Sequence, residues 1–185
     1  MVPVLGRSVY MNTPGVITQI RQMPDPVLTQ STSLVTAFDH NLRGLSSFMI
    51  EVMVASGGVG LAANQIGISQ NLFVYDAQDG SGPHCVANAR IVAASDEEFS
   101  EEGCLSIKRG RFLIPRARSI KWEGQDMYGG GCGGAATGLE ARIIQHESDH
   151  LRGKCLLDYV SRQDKLTALG LLGTTKRVRG SGVTA

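Results

Sequence analysis

"QHESDHLRGK", residues 145–154, sets two histidines four positions apart with a glutamate directly after the first. Four residues is about one turn of helix, so on a helix His146 and His150 project from one face. Two imidazoles at that spacing suit a single metal ion, and Glu147 beside them suits a base. The flanking residues support a helix. Thr137 and Glu140 form a T-x-x-E capping box, Gly153 stands where the helix would close, and Leu139, Ile143, His146 and His150 fall on related faces. Two histidines do not complete a hydrolytic site, which takes three protein ligands and one open position. No glutamate follows Glu147 and no histidine follows His150, which leaves only Asp158 and Asp164 downstream. Upstream, Cys104 in "EEGCLS" (101–106) offers a thiolate, a strong metal ligand. From these residues alone, Cys104 reads as readily as a small buried hydrophobe.

Outward from that helix, Leu42, Leu45, Phe48, Met49, Val52 and Met53 recur at helical spacing, with Asp39 as N-cap and Gly57-Gly58 as the stop. "GVGLAANQIG" is too glycine-rich for a regular element. "LFVYDA" (72–77), "HCVANARIVAAS" (84–95) and "RSIKWEGQDMY" (118–128) read as strands. The glycine run "GGGCGGAATG" (129–138) is the weakest stretch structurally, since it offers few side chains to pack and costs backbone entropy. "MPDPVLTQST" (23–32) reads as a loop, "SRQDKLTALGLL" (161–172) as a short final helix, and the end as a basic tail.

The chain of 185 residues suits one domain, residues 1–172, followed by a flexible basic tail at 173–185. With 42% hydrophobic and 19% charged residues and a net charge of +1, nothing calls for DNA or an anionic membrane as partner. No apolar run approaches the roughly 20 residues that span a bilayer. The start lacks the pattern of a secretory signal, so the reading is cytoplasmic. Cys85, Cys104, Cys132 and Cys155 are widely spaced and do not form a disulfide framework.

Three segments, "GVGLAANQ" (58–65), "EGCLS" (102–106) and "QHESDH" (145–150), resemble the three signature motifs of peptide deformylases, in the same order. Weaker similarity runs through "DPVL" (25–28), "IPRA" (114–117) and "LLDY" (156–159), so the resemblance covers about residues 18 to 160. The expected fold is α+β: small, mainly antiparallel sheets packed around a central helix that carries H-E-x-x-H. The reaction implied is removal of the formyl group from the N-terminal formyl-methionine of nascent polypeptides, releasing formate. The implied ligands are Cys104, His146 and His150, binding one divalent transition metal. The resemblance suggests Fe(II), with zinc, nickel or cobalt able to take its place; ligand softness alone points to zinc. Iron beside a thiolate implies oxygen sensitivity through oxidation of Cys104.

In that reading Glu147 takes a proton from the activated water and delivers it to the leaving amine. The side-chain amide of Gln65 and the backbone N–H of Leu105 stabilise the oxyanion. Gln65 reads equally as a buried amide that orders the glycine loop. Gly58 and Gly60 let an extended peptide lie against the backbone, or are simple turn residues. Val59, Leu139 and Ile143 are candidate walls of a methionine pocket, or plain core. Arg142 lays its stem along that pocket or snorkels to solvent. Arg111 matches a position where the family often carries a substrate-contacting arginine. The sequence departs from the pattern at Lys108 and Arg109 after "CLSI", at Pro24, and in the glycine run; these changes touch the cleft rim and the sheet, not the ligands. Lys176, Arg177 and Arg179 in the tail bear on a transient contact with the ribosome. Three rivals remain: a metalloprotease with Asp158 or Asp164 as ligand, a thiol hydrolase with Cys104 as nucleophile, and an inactive binding protein.

Overall fold

The computed structural model describes residues 20–108 and 110–170. The tail with Lys176, Arg177 and Arg179, residues 1–19 and Arg109 lie outside the described residues. Strands β1 (Gly60–Ala62), β2 (Leu72–Tyr75), β3 (His84–Glu102), β4 (Phe112–Gln125) and β5 (Gly131–Thr137) pair antiparallel in sequence order. Where the sequence suggested several small sheets, the strands described here join into one five-stranded sheet. Three helices complete the fold: α1 (His40–Ala55), α2 (Gly138–Leu151) and α3 (Arg162–Ala168).

The burial of β2 shows how the layers are built. "LFVY" is buried at all four positions, the mark of a strand covered on both faces. Leu72 and Val74 pack with Leu42, Leu45, Met49, Val52 and Met53 of α1. Phe73 and Tyr75 point the other way, toward Ala141, Ile143 and Ile144 of α2 and Ile120 and Trp122 of β4. The helix bearing the histidines therefore lies against one face of the sheet. A third apolar cluster, Ile107, Ile114, Cys155, Leu156 and Leu157, lies beneath Cys104.

Helix α1 begins as its sequence predicts: the Asp39 carboxylate accepts from the N–H groups of Asn41 and Leu42 at 2.9 and 3.1 Å. Helix α2 does not. Thr137 is its N-cap, but its side chain makes no capping hydrogen bond. Glu140 instead accepts from the Tyr75 hydroxyl at 3.0 Å, tying α2 to β2. A tertiary partner has replaced the local capping box. The far end closes as expected: Gly153 takes φ +71°, its N–H donates to the His150 carbonyl at 3.1 Å, and a Cβ there would lie 2.7 Å from the Thr29 carbonyl.

Two strands extend past their sequence limits. β3 continues through "DEEFSEE" to Glu102, and β4 starts at Phe112; residues 97–102 pair with 112–117 as a hairpin that buries Glu102, Ile114 and Arg116. The acidic run lacks the alternation that marks a half-buried strand, which is why the sequence hid it. The glycine run forms strand as well. β5 pairs with β4 along the sheet edge, and a Cβ at Gly133 (φ +140°) would lie 2.4 Å from the Trp122 carbonyl oxygen, so the bare backbone is what lets the strands close. Residues 26–29 of the expected loop form one turn of 3-10 helix capped by Asp25. No described helix is long and apolar enough to cross a membrane, and all four cysteines are free thiols.

Candidate metal centre

The ligand atoms of Cys104, His146 and His150 all lie within 4.8 Å of one another. Helix α2 supplies both rings from one face, with centroids 5.1 Å apart. The turn after β3 brings the sulfur, placing Cys104 Sγ 3.1 Å from His150 Nε2. The three residues fit one metal ion: a thiolate and two imidazoles converge on a common point beside an open cleft. Their electrostatics agree. Burial alone would raise the Cys104 thiol, but the charge of His150 and hydrogen bonds from both imidazoles hold it well below its ordinary value. Burial would lower His146, yet hydrogen bonds to Cys104 and Glu102 hold it well above. The cluster thus favours a thiolate balanced by positive charge, which a metal cation supplies in place of the protons.

Glu102 orients the first histidine. Its Oε2 sits 2.9 Å from His146 Nδ1, leaving Nε2 to face the cluster. Arg116 grips the same carboxylate with two bonds of 3.0 and 3.1 Å, and Arg142 adds a third at 2.7 Å. Arg116 also pairs with the buried Asp149 carboxylate, which accepts from the Tyr159 hydroxyl at 2.7 Å. Burial would raise Glu102, but hydrogen bonds from His146 and Arg116 outweigh it and hold it at about 2. Of the two readings of Arg142, a head that snorkels to solvent fails, because it is held inside by Glu102 and the carbonyls of Ile114 and Glu98.

Glu147 is buried at 3% exposure, and its Oε2 has no hydrogen-bond partner. Burial raises its pKa to about 7, against the lowering pull of the neighbouring imidazoles. Gly60 makes room for it: a Cβ there would lie 2.2 Å from Glu147 Oε1. Gln65 is fixed at both ends of its amide. Its Oε1 accepts from Ala62 N–H at 2.8 Å, and its Nε2 lies 3.1 Å from Ser106 Oγ and 3.6 Å from Cys104 Sγ. The Leu105 carbonyl accepts from the Gln22 amide at 2.9 Å.

A cleft of about 460 Å³ opens onto these groups. Val59, Gly60, Arg111, Leu139, Arg142 and Ile143 all line it, together with Gln65, Cys104, Leu105, His146 and Glu147. Arg111 stands on its rim, donating to the Glu101 carbonyl at 3.3 Å. Asp158 and Asp164 are engaged elsewhere: one accepts from Cys155 N–H, the other caps α3 through Ser161. Neither joins the cluster of Cys104, His146 and His150, so the metalloprotease reading lacks its third ligand. Sequence reasoning assigned no role to Glu102, Arg116, Asp149, Ser106 or Tyr159. All five sit inside quoted motif segments ("EGCLS", "QHESDH", "IPRA" and "LLDY" hold them between them), but buried contacts formed across 14 to 44 residues leave no local pattern.

Two imidazoles and a glutamate on one helix, met by a sulfur from a strand end at the head of a cleft, define a hydrolase built to work with one metal ion. Residues 17–166 match the family described as polypeptide deformylase. The peptide deformylase of Thermotoga maritima is 42% identical over 149 residues, 80% of this chain and 90% of that protein. That of Thermotoga neapolitana is 40% identical over 164 residues, 88% and 99% of the two chains. A crystal structure of a peptide deformylase from Legionella pneumophila superposes with a TM-score of 0.78 at 34% identity, covering 82% of this chain and 90% of that one. The chain belongs to the polypeptide deformylase family, whose members are hydrolases that remove the N-formyl group from nascent polypeptides.

Proposed function

We propose that Cys104, His146 and His150 hold one divalent transition metal, Fe(II) by family resemblance with zinc, nickel or cobalt as substitutes, and that formyl-methionyl peptides are hydrolysed beside it. The observation that carries this is the convergence of the three ligand atoms in a cleft that also contains the unpartnered Glu147 carboxylate. Bound there, a metal would supply Lewis-acid chemistry, lowering the pKa of water toward neutrality and polarising the formyl carbonyl. Glu147 would take a proton from the attacking water at its free Oε2 and return it to the departing amine. Burial raises the Glu147 pKa, which suits one carboxyl group to both transfers. The Gln65 amide and the Leu105 N–H donate to the oxygen that gains charge on the formyl carbon; one such donor is worth about 2.7–4 kcal/mol.

The peptide lies extended along Val59 and Gly60, in strand addition to β1, with its methionine against Leu139 and Ile143. Arg142 contributes its stem to that wall while its head braces Glu102, and Arg111 meets the peptide farther along the cleft. A single catalytic domain reaching to about residue 172 carries all of this. The substrate is made by ribosomes, so a cytoplasmic enzyme in transient contact with the ribosome, and with neither DNA nor membrane, fits the chemistry. Formate release from a formyl-Met-Ala peptide, assayed anaerobically with Fe(II) or Ni(II), tests the proposal. Turnover should vanish with chelator and return with metal. Turnover that survives chelation would favour Cys104 as nucleophile, and none under any metal would favour a binding protein.

A further inference from the structure

We infer that Ser106 is a positioning residue for catalysis, acting through Gln65. This rests on the reading of Gln65 as a donor to the oxyanion. A primary amide has two N–H donors and one carbonyl acceptor of note. In Gln65 the acceptor is assigned by its partner, because Ala62 N–H can only donate and lies 2.8 Å from Oε1. That bond orders the glycine segment and anchors one end of the amide, leaving it part of its freedom about the last torsion. The Ser106 hydroxyl, 3.1 Å from Nε2, removes that freedom. It takes one N–H and holds the other on the Cys104 side at the edge of the cleft, where its contact with the weakly accepting Sγ, 3.6 Å away, yields to a charged oxygen.

Both side chains are almost wholly enclosed, Ser106 at 1% and Gln65 at 1% exposure, so water cannot easily replace either partner. Ser106 is itself pinned, its carbonyl accepting from Met23 N–H at 2.9 Å. The serine therefore ties the turn that carries Cys104 to the segment that carries Gln65. A structural role alone is served by the Ala62 bond. The Ser106 bond adds direction, and a donor misplaced by about 1 Å costs on the order of 100-fold in rate.

A double-mutant cycle on the nickel-loaded enzyme tests this. Ser106→Ala should lower kcat about tenfold, with KM and metal content within about twofold of the parent. Gln65→Ala should lower kcat further, and adding Ser106→Ala to it should change kcat less than about twofold, because nothing remains to position. An additive loss in the double variant, an unchanged kcat in Ser106→Ala, or a loss carried by KM or metal content would overturn the inference. An unchanged kcat in Gln65→Ala would instead sink the reading of Gln65, and the role of Ser106 with it. Should Ser106→Ala fail to fold, the parent still decides: in the zinc-loaded protein the Gln65 side-chain N–H protons should be strongly protected from exchange. Exchange as fast as an exposed amide would refute the bond.

Discussion

Replacing Gly60 by alanine perturbs the site by one methyl group. Gly60 has ordinary negative-φ strand geometry, so alanine suits the backbone itself. The added Cβ would meet Glu147 Oε1 at 2.2 Å, Glu147 Cδ at 2.8 Å and Ile143 Cγ2 at 3.0 Å. Comfortable contact begins near 3.5 Å, so the carboxylate must retreat by roughly 1 Å. It is the end of a rotatable side chain, and the fold should tolerate its movement at a cost of about 1–3 kcal/mol. Catalysis should not, because a shift of that size in a proton-transfer group costs about 100-fold. The expected result is a variant that melts a few degrees lower, keeps its metal, and loses about two orders of magnitude in kcat. Paired thermal denaturation and formate-release assays measure both. Parental kcat in a folded Gly60→Ala protein would refute the close packing of Gly60 on Glu147, and with it the placement of the base.

Glu147→Gln keeps the shape of the side chain but cannot take a proton; metal content should match the parent while kcat falls about 10²–10⁴-fold, measured side by side. Glu102→Ala leaves Arg116 and Arg142 without their shared carboxylate and should destabilise the protein by about 3–5 kcal/mol in urea unfolding. Glu102 also predicts an acid limb of stability in the metal-free protein. Its folded pKa, about 2, lies below the ordinary 4.5, so the stabilisation is complete above about pH 4.5 and is lost as pH falls toward 2; denaturation midpoints across that range should drop steeply, and more shallowly in Glu102→Gln. Exposure of the iron-loaded enzyme to air should abolish activity with oxidation of Cys104, detected by mass spectrometry, whereas the nickel-loaded form persists.

The elements most legible in the sequence were those specified locally. Helix α1 carries its cap and its apolar spacing within 17 residues, and "LFVYDA" announces a strand. The histidine pair was legible for the same reason, since one helical turn brings both rings to one face. Cys104 was not, from spacing alone: 42 residues separate it from His146, and only the joint occurrence of three motifs singled it out. Where local chemistry competed with tertiary contacts, the tertiary contacts won. Glu140 bonds Tyr75 rather than capping α2, and the glycine run pairs with β4 as an edge strand that leaves no room for a side chain at Gly133. The hairpin and the buried network around Glu102 left no apolar pattern, since the face the hairpin buries carries Glu102 and Arg116 and the network is assembled from strand, helix and loop.

X-ray absorption at the metal edge of the zinc-loaded protein tests the central claim most directly. One sulfur at about 2.3 Å with two imidazole nitrogens at about 2.0–2.1 Å is the predicted shell, and the sulfur should disappear in Cys104→Ser. A shell of nitrogen and oxygen alone in the parent, unchanged by Cys104→Ser, would contradict the account.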